Sequence, residues 1–324
     1  MFKIGDIEVK GKVILAPMAG VSSFTYRHFM SDFDIDLCVT EMVSDMGLIY
    51  GNKETFSYID FPKEKVPTGV QLFGHDVESL KKALLIVEEH NPNVAFYDVN
   101  MGCPVPKVVD TGAGSALMKN PKLCGDIIRG LKSVTNKPVT AKIRLGWDKN
   151  SINFLEVIKE LESAGVDMIA IHARTRKELY TGEPHWDYLK NLRSQMKVPL
   201  VVSGNIYTVE DAIKALEITG ADAVMVARGG VGNPLLSANI NRYFRGEELI
   251  KTSIEKQVEY CKKLAQEFVK EKGEVIGMRV YRSIGPQFFS GYKNVKKLKN
   301  RICLETETYH DLEKILDEYL KEIC

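Results

Sequence analysis

Between Val13 and Ala227 the chain repeats one pattern, a short run rich in β-branched residues followed by a stretch long enough for a helix. The runs fall at Val13–Ala16, Leu37–Glu41, Thr68–Leu72, Phe96–Val99, Val139–Ile143, Ile169–His172, Leu200–Ser203 and Ala223–Ala227. Val77–Glu89 has an apolar side of Leu80, Leu84, Ile86 and Val87, and Asn153–Ala164 and Thr208–Ile218 also read as amphipathic helices. A Thr-x-x-Asp capping pattern opens at Thr208, and Gly165 and Gly220 sit where helices stop. Strands that alternate with helices pair in parallel, because each crossover returns the chain to the same end of the sheet.

The polar residues favour a closed sheet over a doubly wound one. In order, the run ends carry Pro17-Met18, Glu41, Gln71, Asn100 with Cys103, Lys142 with Arg144, His172 with Arg174, Ser203-Gly204-Asn205 and Arg228-Gly229. In a β/α barrel all eight ends meet on one face, where a site is built. After Pro234 the rhythm stops, and Ile250–Glu271 and Glu305–Ile323 read as long helices. The prediction is an α/β chain with a (β/α)8 TIM barrel over residues 1–245. A small all-helical domain follows over residues 246–324, with the boundary near residue 245. The 324 residues suit a barrel of roughly 250 plus an appendage.

Hydrophobic residues make up 44% and charged residues 27%, which excludes wholesale disorder. No apolar run approaches the ~18 residues of a membrane span, and the start Met1-Phe2-Lys3-Ile4-Gly5-Asp6 lacks a secretion-signal pattern. Cysteines stand at 38, 103, 124, 261, 303 and 324 with no C-x-x-C pair, so no metal site is expected. The reading is a reduced, cytoplasmic protein, monomeric by default. The net charge of +1 conceals a local asymmetry. Arg279, Arg282, Lys293, Lys296, Lys297, Lys299 and Arg301 fall in one stretch without an acidic residue. A polyanion feels such a local field, since exposed charges act over about one Debye length, roughly 8–10 Å. A solvated helix face gives the same pattern.

Glycines in Ser203-Gly204-Asn205 and Arg228-Gly229-Gly230 let backbone N–H groups approach an anion, as loops after the seventh and eighth barrel strands commonly do for phosphate. Lys142 ends an otherwise apolar run and suits an electron-rich ring such as a reduced flavin; pairing with Glu41 is the simpler alternative. Gly112-Ala113-Gly114 resembles the start of a dinucleotide motif but follows a loop and has Leu117 at the third glycine position. Cys103 lies in Asn100-Met101-Gly102-Cys103-Pro104 on the catalytic face, where a protonated thiol can act as a general acid.

These segments resemble the bacterial branch of the tRNA-dihydrouridine synthase family. The resemblance runs through Ala16-Pro17-Met18-Ala19-Gly20-Val21, Gln71, Asp98-Val99-Asn100-Met101-Gly102-Cys103-Pro104 and Lys142-Ile143-Arg144-Leu145-Gly146. It continues in Ile171-His172-Ala173-Arg174-Thr175, Tyr180-Thr181-Gly182-Glu183 and Val226-Ala227-Arg228-Gly229. The resemblance implies FMN contacts at Pro17, Met18, Ala19, Gln71, Lys142, His172, Ser203, Gly204, Asn205, Ala227 and Arg228. It implies NADPH as reductant, hydride passing from flavin N5 to C6 of a D-loop uridine in tRNA, and Cys103 as proton donor to C5. Asn100 would position the base, and Arg144 and Arg174 are candidate substrate contacts. The basic stretch from Arg279 to Arg301 would then grip tRNA. Two departures stand out: Ser203-Gly204-Asn205 replaces the family's usual Asn-Gly-Asp, and Val280-Tyr281 replaces a Lys-His pair after Met278-Arg279. Rival readings are an FMN barrel reducing a free pyrimidine, of the dihydroorotate dehydrogenase type, a tRNA-binding protein without catalysis, and a phosphate-binding isomerase or lyase barrel without flavin.

Overall fold

The computed structural model describes residues 1–293 and 295–323; Cys324 lies outside the described residues. Among these, strands β1 (Phe2–Ile4) and β2 (Ile7–Val9) form an antiparallel hairpin. Eight more follow: β3 (Val13–Leu15), β4 (Leu37–Ser44), β5 (Thr68–Phe73), β6 (Phe96–Asn100), β7 (Val139–Arg144), β8 (Met168–His172), β9 (Leu200–Ser203) and β10 (Ala223–Val226). They close a barrel in the order β10-β3-β4-β5-β6-β7-β8-β9, all pairs parallel. The TIM-barrel architecture expected from the strand rhythm is therefore the observed one. Sequence reasoning missed the hairpin, although Phe2, Ile4 and Val9 on either side of Gly5-Asp6 carry an alternating signal. Those three apolar side chains pack with Ile14, Leu37, Phe96, Met168 and Met225 from the barrel interior.

Inside the barrel, large and small residues complement one another. A Cβ on Gly69 would lie 2.3 Å from the Phe96 ring, so glycine makes the space that this ring fills. Strand β4 runs three residues beyond its expected end, and its register with β5 shifts between Val39 and Met42. At that irregularity the Thr40 hydroxyl accepts from the Gln71 N–H at 3.1 Å. The helix Val209–Thr219 opens with the expected reciprocal cap between Thr208 and Asp211 and stops at Gly220, whose φ is +69°. Only glycine adopts that left-handed conformation without steric cost.

Beyond the helix Leu235–Phe244, residues 247–253 have no regular structure, and the expected boundary near residue 245 falls at that helix's end. The next helix is Ile254–Lys272, four residues later than expected, because the Ser253 hydroxyl caps the Lys256 N–H. The helix expected over 305–323 begins four residues later, as Tyr309–Ile323, and a separate helix, Val295–Glu305, lies in the basic stretch before it. The Asp311 carboxylate accepts from the Glu307 and Thr308 N–H groups at the break. One buried apolar cluster runs from the barrel's outer layer through Val258, Leu264, Phe268 and Phe288. Across the junction, Gln257 Nε2 donates to the carbonyls of Gly232 and Phe288. A Cβ on Gly232 would lie 2.3 Å from the Gln287 carbonyl carbon, so the barrel loop and helical region touch backbone to backbone. No helix among the described residues is long and apolar enough to cross a membrane.

Candidate active site

The carboxyl ends of the barrel strands surround a cavity of about 520 Å³. Pro17, Met18, Ala19, Gln71, Lys142, His172, Ser203, Gly204, Asn205, Ala227 and Arg228 all line it, as do Asn100, Cys103 and Arg144. Ser283 and Gln287 reach it from the helical region. Two exposed aromatics missed as site residues, Tyr180 and Tyr207, stand at its mouth. The Arg228 guanidinium lies 5.1 Å from the Tyr180 ring centre and 5.9 Å from that of Tyr207, within cation–π range. Their sequence signal was weak, since a tyrosine in a polar loop reads as ordinary surface.

The cavity is electropositive. Neither Lys142 nor Arg228 has a carboxylate partner within ion-pair distance among the described residues. Pairing of Lys142 with Glu41 gives way to a different arrangement, in which Glu41 Oε2 accepts from the Gly20 N–H at 2.6 Å. Burial, and next the Arg144 charge, lower the Lys142 ammonium to about 8, while Asp98 opposes the shift. Burial, then Arg144, Lys142, Arg174 and Arg228, hold His172 well below its ordinary value, so the ring stays neutral. Cations held without counter-charge in a concave site favour an anionic ligand. Gly229 shapes the same wall: a Cβ there would lie 1.9 Å from the Ile206 carbonyl oxygen, so glycine lets the loops after β9 and β10 meet. Asn205 takes a left-handed φ of +46°, which asparagine tolerates, and its Oδ1 accepts from Arg174 Nη2 at 2.9 Å.

Cys103 is 9% exposed, and its backbone N–H donates to Asn100 Oδ1 at 2.8 Å. Burial raises its thiol above the ordinary value, while the Val105 N–H, Arg144 and Lys142 pull the other way. The thiol is therefore protonated at neutral pH. The Gly112-Ala113-Gly114 segment braces this loop and has no nucleotide-motif geometry. Ser115 donates through its N–H and its hydroxyl to the Cys103 carbonyl at 3.0 and 2.9 Å. A Cβ on Gly114 would stand 2.9 Å from that same oxygen.

The two arginines expected to meet substrate differ from that picture. Arg174 is fully buried and does not line the cavity. Its donors go to Thr181 O, Gly182 O and Asn205 Oδ1, and Nη1 lies 3.2 Å from His172 Nε2. Arg144 lines the cavity but donates to Gly102 O, Thr175 O and Leu179 O, tying the Cys103 loop to the loop after β8. In the basic stretch, Arg301 pairs with Glu305 and Glu318, and Lys297 lies 3.4 Å from Glu322. Lys299 donates to the Ser290 hydroxyl and Arg282 to Thr306 O. Arg279, Lys293 and Lys296 are exposed and have no carboxylate partner among the described residues. Tyr281, at a departure from the family pattern, is a core residue whose hydroxyl donates to Cys261 O at 2.8 Å.

The family model described as dihydrouridine synthase matches residues 14–323. A probable tRNA-dihydrouridine synthase of Rickettsia conorii is 33% identical over 321 residues, 98% of this chain and 96% of the relative. A tRNA-dihydrouridine synthase B of Pseudomonas syringae pv. tomato is 35% identical over 283 residues, 86% of this chain and 83% of the relative. Among solved structures, a 2-naphthoyl-CoA reductase complex superposes with a TM-score of 0.57 at 11% identity, covering 76% of this chain and 51% of that one. A histamine dehydrogenase from Rhizobium sp. 4-9 gives 0.53 at 11% identity, covering 82% of this chain and 49% of the other. At that identity the likeness concerns the barrel fold alone.

Proposed function

Because the chain belongs to the dihydrouridine synthase family, we propose that it reduces the C5–C6 double bond of D-loop uridine in tRNA, in the cytoplasm, with FMN as cofactor and NADPH as reductant. The observation that carries this reading is a protonated, buried Cys103 thiol at the wall of a cation-lined cavity at the strand ends. The residues present fit FMN. Lys142 and Arg228 offer uncompensated positive charge, and Gly204 and Gly229, in the loops after β9 and β10, line the same cavity, where backbone N–H groups suit a phosphate. Bound FMN would supply the hydride. Lys142 would place a positive charge against the cofactor's electron-rich ring, Cys103 would hold the proton for C5, and Asn100 fixes the loop that carries the thiol. Ser283 and Gln287 of the helical region border the cavity, which suits a base swung out of its stack by an RNA held there.

The test is a spectrum of the purified protein followed by incubation with NADPH and unmodified tRNA. Mass spectrometry should find a gain of two hydrogens in a D-loop uridine. Reduction of free uracil or orotate but not tRNA would favour the free-pyrimidine alternative. A protein that cannot be reconstituted with FMN would defeat the reading.

Two further expectations follow from the charges. An anionic ligand is held best while Lys142 is protonated, so FMN affinity should be highest below pH 8 and decline as pH rises through about 8. Fluorescence titration of the apo-protein between neutral and alkaline pH checks this, and a flat profile would remove Lys142 from the charge balance. Replacing Arg279, Lys293 and Lys296 by glutamine should weaken tRNA binding by about 10-fold or more at moderate salt and reduce the salt slope by roughly 2–3. The flavin spectrum should not change. Equal affinity in the variant would show that RNA approaches elsewhere.

A further inference from the structure

The barrel interior holds a line of hydrogen bonds whose direction is fixed at both ends. At one end the N–H groups of Gly102 and Cys103 donate to Asn100 Oδ1 at 3.1 and 2.8 Å. Backbone N–H groups only donate, so the Asn100 oxygen must face them and its Nδ2 must face Gln71. Asn100 Nδ2 donates to Gln71 Oε1 at 2.8 Å, and Gln71 Nε2 donates to Asp98 Oδ2 at 2.6 Å. At the far end the Thr140 hydroxyl donates to Asp98 Oδ1 at 2.6 Å. Asp98 is 1% exposed and forms no ion pair among the described residues. Each amide has one N–H left over, and both Gln71 and Asn100 line the cavity.

We propose that Asp98 is the positioning residue of this site: by accepting from Gln71 it holds that amide in the direction the loop N–H groups set at Asn100, so that the remaining N–H groups of both amides meet ring carbonyl oxygens. This rests on the flavin and uridine reading above. With the amides turned the other way, the wall would present carbonyl oxygens and repel a dioxo ring. Burial raises the Asp98 carboxyl above its ordinary value, with Gln71 and Thr140 opposing, and a proton taken up on Oδ1, toward the Thr140 hydroxyl, leaves Oδ2 to accept from Gln71. The wiring therefore does not depend on the carboxyl's charge.

The test is a double-mutant cycle on the holoenzyme with Asp98→Asn, Thr140→Val and the pair. In Asp98→Asn the new amide still accepts from Gln71 while donating to Thr140. That hydroxyl can turn its proton toward Tyr97 O, 3.4 Å away. In Thr140→Val the carboxyl still accepts from Gln71. Only the pair leaves the amide at position 98 free to turn and donate toward Gln71. Each single variant should lower kcat for uridine reduction by about 3-fold or less, and the pair by about 50-fold, with KM for tRNA nearly unchanged. FMN titration of the apo-proteins is the second readout. A similarly non-additive loss of flavin affinity places the contacted oxygens on the flavin, whereas a loss confined to kcat places them on the pyrimidine. If the wild type fails to act on tRNA, the function reading falls and the flavin cycle alone decides this proposal. Additive effects in every measurable arm, or a lower melting temperature with additive kinetics, would overturn it.

Discussion

Replacing Cys103 with alanine should leave the protein yellow and cut dihydrouridine formation by about 10²- to 10⁴-fold, the usual contribution of a positioned general acid. The expectation follows from how little else the substitution disturbs. The loop is held by the Cys103 N–H on Asn100 Oδ1 and by Ser115 on the Cys103 carbonyl, and both contacts are to backbone atoms that alanine keeps. Serine should rescue poorly, because a hydroxyl is a far weaker acid than a thiol. Single-turnover reduction of unmodified tRNA by the pre-reduced enzyme isolates the step. An alanine variant within about two-fold of wild type would assign the proton to another group.

The second large effect concerns stability. Arg27 and Glu64 form an ion pair whose side chains are each only 2% exposed. Arg27 Nε donates to Glu64 Oε1 at 3.0 Å, Nη1 donates to Ser22 O at 2.7 Å, and the guanidinium lies 4.9 Å from the Phe61 ring centre. The pair fastens the helix Phe24–Met30 to the segment before β5. Through Ser22, whose hydroxyl accepts from the Met18 N–H at 2.8 Å, it also steadies a cavity loop. Arg27→Met should destabilise the fold by about 3–5 kcal/mol, since it strands a buried carboxylate. Removing both charges with Arg27→Met and Glu64→Met should recover most of that loss. Urea unfolding of the three proteins measures it, and equal stability of single and double variants would contradict the argument.

The strand order and the cavity wall were legible from sequence because the barrel writes them locally. A run such as Val139-Thr140-Ala141-Lys142-Ile143-Arg144 shows both its apolar body and its polar end, and closure brings such ends together. What a long polar side chain does after it arrives was not legible. Arg174 and Lys142 look equivalent at their strand ends, yet the first spends its donors on loop carbonyls and the second keeps its charge. That difference depends on the path of residues 175–183, which no local pattern encodes. The late start of the final helix was missed for a related reason. Glu305 instead ends the helix Val295–Glu305, and the later start comes from Asp311 capturing two N–H groups upstream.

Gln257 bridges Gly232 of the barrel and Phe288 of the helical region within one continuous core, while Ser283 and Gln287 border the cavity itself. A join of this kind ties the barrel that carries Cys103 to the helical region that carries the exposed cations. On the proposed function the molecule would work as a caliper of fixed span: an RNA held at those cations would offer to the thiol whichever nucleotide lies at that reach. Selection among chemically identical uridines would then be a matter of length, and altering the angle of this joint should change which one is chosen.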